Sequence, residues 1–141
     1  MNAGVCLLVK KGKKEIVIID NDVTVYFADF PESRRLFDRL MEQVPESTPF
    51  DLQVTKSQIA FRHIRPFAWV WIPEKHLKRK AAPLVLSIVF PQRDPSPRWK
   101  EIVEPSKGKF MHHLEIHSPQ DIDEQVLNWL LRAWTDAGIS G

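Results

Sequence analysis

Apolar residues along the chain fall into two rhythms. Over residues 31–44, Leu36, Phe37, Leu40, Met41 and Val44 recur every three or four positions, Pro31 suits a first helical turn and Pro45 halts the run, which predicts a helix. Ile122, Val126, Leu130 and Trp134 repeat every fourth residue, widened by Leu127 and Leu131, and predict a second helix over 119–137. Ser118 is its expected cap and Pro119 its first residue, Asp121 and Asp123 suit its positive end, and Gly138 supplies the stop. Elsewhere the period is two. Residues 52–62 alternate through Ile59 and Phe61, residues 63–66 break the run, and 67–72 resume as its hairpin partner. Residues 84–90 and 110–117 give two further strands, while 98–103 is short and mixed. Residues 91–97 hold three prolines and read as a loop, and residues 73–80, apolar only at Leu77, as a solvated turn or short helix. Near the start, 5–9 and 15–20 are β-rich runs around a charged turn with Gly12, which predicts an N-terminal hairpin. Val23, Val25 and Phe27 alternate like a strand, yet Asn21 and Asp22 equally suit the cap of a helical turn, and both assignments stay open.

Taken together, these elements predict an α+β fold. A mainly antiparallel sheet of five or six strands is packed on one side by the two main helices, 31–44 and 119–137, which bury Leu36, Leu40, Val126, Leu130 and Trp134. A chain of 141 residues with 43% hydrophobic content suits one core, so residues 1–141 are expected to form a single domain, with the hairpin over 1–20 at its start. No apolar run approaches the roughly 20 residues that span a bilayer, and no cleavage site of small residues follows the N-terminal apolar stretch. The lone Cys6 has no second thiol for a disulfide or a metal knuckle. A cytoplasmic protein with no membrane partner is the expectation.

Charge changes the picture more than composition does. Residues 53–109 carry twelve Lys/Arg against four Asp/Glu, a net +8, whereas the remainder carries −6. That asymmetry offers a basic surface to phosphate, carboxylate or an acidic protein partner, unless the two parts neutralise one another. Lys56, Arg62 and His63 flank one strand, and Trp69, Trp71 and Trp99 would stack on bases if exposed, although a strand that reads 67–72 is expected to bury its tryptophans. Along 110–117, alternation places His113, Glu115 and His117 on one face, a donor set suited to zinc or iron. Same-face residues stand roughly 7 Å apart on a strand, however, so a solvated polar face explains them as well. There is no Walker loop, no dinucleotide glycine fingerprint and no nucleophile elbow, so no cofactor is expected and an enzyme ranks last.

Several motifs occur in a recognisable order: VTKSQIAFR at 54–62, FAWV at 67–70, SPRWK at 96–100, HHL at 112–114 and SPQDID at 118–123. Over about residues 23–138 the chain resembles the bacterial family called domain of unknown function 5655. The resemblance implies no known activity. Members stand alone or at the C-terminal end of larger proteins, some with restriction-endonuclease-like domains, which implies by analogy a nucleic-acid-associated accessory role. Lys56, Arg62, Trp99, His112 and His113 lie inside those motifs and are the candidate ligand-binding residues, with fixing of strand register and loop packing as the alternative role. A non-catalytic binding module for an anionic ligand, with nucleic acid the leading instance, is therefore expected. The alternative is a small-molecule or metal-binding protein using His113, Glu115 and His117.

Overall fold

The computed structural model describes residues 17–77 and 81–139. Two helices, α1 (Val17–Tyr26) and α2 (Pro31–Gln43), precede three strands, β1 (Asp51–Val54), β2 (Ile59–Arg62) and β3 (Pro66–Trp71). A single turn of helix, α3 (Glu74–Leu77), leads to β4 (Leu84–Phe90), β5 (Glu101–Ser106) and β6 (Lys109–Ile116), and α4 (Glu124–Ala137) follows. The six strands form one sheet in the order β1-β2-β3-β4-β6-β5, with antiparallel neighbours throughout. This is the expected α+β architecture. Its edges are the short β1 and the irregular β5, whose register shifts between Val103 and Ser106. Among the described residues no helix is long and apolar enough to cross a membrane.

Alternation decides which face of the sheet is covered. Ala68, Val70, Leu84, Leu86, Ile88, Leu114 and Ile116 point to one side and form a core with Leu36, Phe37 and Leu40 of α2 and Val126, Trp129, Leu130 and Ala133 of α4. The stripe expected on α4 is there, with Trp134 at its margin, where the indole donates to the Pro49 carbonyl at 2.8 Å. On the opposite side Trp69, Trp71, Met111, His113 and Glu115 remain half-exposed. The expectation that both strand tryptophans are buried therefore fails, because among the described residues the long helices pack on the opposite face of the sheet.

Three element boundaries also differ from the sequence pattern. The first arm of the expected N-terminal hairpin lies outside the described residues, and the second, residues 15–20, meets helix α1 at Val17. Val23, Tyr26 and Phe27 are buried while Val25 is 68% exposed, a spacing that only a helix produces; burial here outweighs the weak strand preference of β-branched residues. Residues 52–62 are two strands rather than one. Thr55 Oγ1 accepts from the backbone N–H of Ser57 and Gln58, folding 55–58 into a turn that Tyr26 anchors by donating its hydroxyl to the Ser57 carbonyl at 3.0 Å. The last helix begins later than Ser118. Residues 119–121 form a 3-10 turn in which the Asp121 carboxylate accepts from the N–H of His117 and Ser118, and Asp123 caps α4 by accepting from Val126 N–H. Gly138 does end α4, but in a right-handed conformation; a Cβ there would lie 2.5 Å from His63 Cε1, so close approach is what requires the glycine.

Helix α1 gives a direct check of this arrangement. In urea unfolding, Val23→Ala is expected to destabilise by about 1–3 kcal/mol and Val25→Ala by less than about 0.5 kcal/mol. A strand through the same residues would make the two losses similar.

Candidate functional site

The polar residues singled out by the sequence divide between the two faces of the sheet. His112 points into the core and is fully buried. Its Nδ1 lies 2.9 Å from the Phe110 carbonyl and its Nε2 accepts the Asp94 backbone N–H at 2.9 Å, so the ring is neutral with its proton on Nδ1. Burial pushes its pKa down, against the opposing pull of the Phe110 carbonyl and the Asp94 charge. Trp99 is buried beside it, with ring centroids 4.9 Å apart, and lies 4.1 Å from the Trp129 ring of α4. The Trp99 indole donates to Asp94 Oδ2 at 3.0 Å, and Ser96 N–H donates to the same oxygen. Burial alone would raise the Asp94 carboxyl, but these donors and the nearby Arg132 and His112 hold it below its ordinary value. Arg98 completes the clamp by donating to both carboxylate oxygens of Asp123, to Gln125 and to the Asp121 carbonyl. Trp99 and His112 thus pack the proline-rich loop against α4 and the sheet.

The open face carries a different set. Register aligns Gln53, Ala60, Trp69, Ser87, His113 and Glu101 in one row across the six strands. Arg62 lies opposite Asp51 at the end of the sheet where β6 begins with Lys109, whereas Lys56 sits in the β1–β2 turn at the other end. Of the five candidates, then, Arg62 and His113 share this face, Trp99 and His112 lie behind it, and Lys56 lies away from both. Glu115 and His117 pair with one another at 3.2 Å, and His113 is held separately by Ser87. Among the described residues no three His, Cys, Asp or Glu side chains converge where a metal ion would sit.

Beside the row lies a groove of about 670 Å³, within the size range of ligand pockets. Trp69, Val89 and Met111 of the open face line it together with Pro66 and Phe67 of β3 and Ala133 and Ala137 of α4. Lys109 lines one side; Arg65, also in the lining, donates to the carbonyls of Asp136 and Ile139 and so caps the end of α4. Lys109, Met111, His113 and Glu115 follow one another on this face of β6, placing a cation at one end and a carboxylate at the other.

Ser87 is the residue that sequence reasoning passed over. It is the one polar side chain in β4, buried at 3% exposure, and its Oγ accepts the Trp71 indole N–H at 2.9 Å and lies 2.6 Å from His113 Nδ1. Glu101 stands across the strand pair from His113. Serine, histidine and carboxylate are present, but the serine is buried in a central strand whose own backbone N–H groups are committed to the sheet ladders. The arrangement orients groups rather than building a nucleophile. Its signal in the sequence is a lone serine inside an apolar strand.

The family model described as Domain of unknown function (DUF5655) matches residues 23–137. No curated protein and no solved structure matches the chain.

The two histidines set the expected pH dependence. Burial lowers both folded-state values below 6.5, so the unfolded chain takes up protons that the folded chain refuses. Their stabilisation is fully present above pH 6.5 and is lost as pH falls through the lower folded values. Urea unfolding should show a slope of up to about 1.4 kcal/mol per pH unit from His112 in that window. His112→Leu should be less stable at pH 8 and lack that share of the slope.

Proposed function

The chain belongs to the DUF5655 family, and for this member we propose a non-catalytic binding module for a planar ring that carries an anionic group, as in a nucleotide or single-stranded nucleic acid. The observation that carries the reading is the half-exposed Trp69 in the lining of the groove, together with Lys109. An indole face left open to water gives a base a stacking surface worth about 1–3 kcal/mol, whatever the base. Lys109, with Arg62 at the same end of the sheet, supplies positive charge for the phosphate, while Glu101 ends the row of Trp69 and Glu115 lies toward the other end of the face. The ligand is thereby given a direction: ring over Trp69, anionic group toward Lys109. The net +8 of residues 53–109, which contain every one of these cations, supports the same reading. The domain company implied by the family resemblance favours nucleic acid by analogy. The groove's volume also favours a second reading, a free small molecule of the same ring-plus-anion chemistry.

Tryptophan fluorescence with adenosine monophosphate, a short oligothymidylate and benzoate separates these sources. Binding is expected to be tightest for the oligonucleotide and to weaken with salt. Trp69→Ala should weaken it roughly 10- to 100-fold, and Lys109→Ala should lower the salt slope by about 0.7. Binding of benzoate alone would transfer the site to small carboxylates, and no binding of any of the three would remove the proposal.

A further inference from the structure

The row that contains Trp69 continues through Ser87 to His113, and hydrogen-bond accounting along it fixes more than the ring's position. The Trp71 indole has a single donor, and it is spent on Ser87 Oγ at 2.9 Å. The Ser87 hydroxyl therefore accepts on one side and still holds a proton of its own. Ser87 is buried, and among the described residues the one acceptor within its reach is His113 Nδ1 at 2.6 Å. Were the imidazole protonated on Nδ1, both groups would present hydrogen to one another or the hydroxyl proton would be left without an acceptor. A buried unsatisfied donor is disfavoured strongly enough to settle the direction. The hydroxyl donates to Nδ1, and the ring proton stands on Nε2.

That nitrogen has no hydrogen-bond partner among the described residues, and it is absent from the buried atoms left unsatisfied, so it meets solvent. The ring edge is held against Trp71, with centroids 6.0 Å apart and planes at 87°. Around it stand Trp71 from β3, Ser87 from β4, Glu101 from β5 and Glu115 on its own strand. His113 is one same-face step, roughly 7 Å, beyond Met111 in the groove lining. We infer that His113 is a specificity-determining residue of the groove, presenting Nε2–H to a hydrogen-bond acceptor such as a base carbonyl or ring nitrogen, with Trp71 and Ser87 as the positioning residues that fix its tautomer.

This inference rests on the ligand reading above, since the donor matters only if a ring occupies the groove. It adds what stacking on Trp69 lacks, which is a preference among rings. A stacking surface accepts any base, whereas a fixed donor favours rings that carry an acceptor at the matching edge.

The test uses the whole chain with adenosine monophosphate and benzoate as probes. Ring nitrogen-15 chemical shifts of the free protein at pH 7.5 are expected to show His113 neutral with the proton on Nε2. Ser87→Ala should give a mixture of tautomers and Ser87→Thr should restore the single one. His113→Phe keeps the ring edge against Trp71 and removes the donor. It should weaken adenosine monophosphate roughly tenfold and leave benzoate within about twofold. A proton on Nδ1 in the free protein, or an unchanged nucleotide affinity in a folded His113→Phe, overturns the inference while the ligand reading stands. Failure of the wild-type chain to bind either probe overturns the ligand reading itself, a result that the nitrogen shifts do not influence.

Discussion

The fold depends on one buried imidazole. His112 is fully buried on the covered face, where a charge would be disfavoured by several kcal/mol, and it is tolerated because both ring nitrogens are engaged and the ring stays neutral. Through Nε2 it holds the backbone of Asp94; through Asp94 it orients Trp99; and through Trp99 it meets Trp129 of the last helix. A loop with three prolines has little regular hydrogen bonding of its own. Here a histidine, a carboxylate and an indole supply the bonds that a strand would otherwise have made.

That loop and α4 lie on one side of the sheet, and among the described residues the other side keeps a half-exposed surface. The sheet divides its polar residues accordingly: groups that stabilise point inward, and groups with unspent hydrogen-bonding capacity point outward. Adjacent residues in the His112–His113 pair have opposite fates for this reason alone. One is spent on architecture, and the other keeps an open nitrogen on the face that also carries Trp69 and Lys109.

The two long helices and the strands at 84–90 and 110–117 were legible because each repeats one period over enough residues to outweigh local preference. Helix α1 was hidden by its β-branched residues, which suit strands intrinsically; the helix is revealed by the burial of Val23 and Tyr26 beside the exposed Val25. The turn at Thr55 was hidden because a threonine folding the chain by its side chain looks like any other strand residue. At the site, the motifs contained Arg62 and His113 but gave no means of separating them from Trp99 and His112. That separation depends on which face the helices cover, a property of the assembled sheet. Ser87 illustrates the remaining gap: its role is defined by Trp71 and His113 on two neighbouring strands, and pairing across β3, β4 and β6 is not written in any one of them.

A sheet face with half-exposed tryptophans is ordinarily a hazard, since flat apolar strands recruit further strands and seed fibrils. The edges of this sheet work against that outcome. β1 offers four residues, and β5 carries Glu101, Glu104 and Pro105 along with an irregular register, so a neighbouring molecule finds charge, a missing donor and a broken ladder. Pairing from copy to copy along the edges is thereby disfavoured, and what the face keeps open to solvent is its flat side rather than its rim of unpaired backbone.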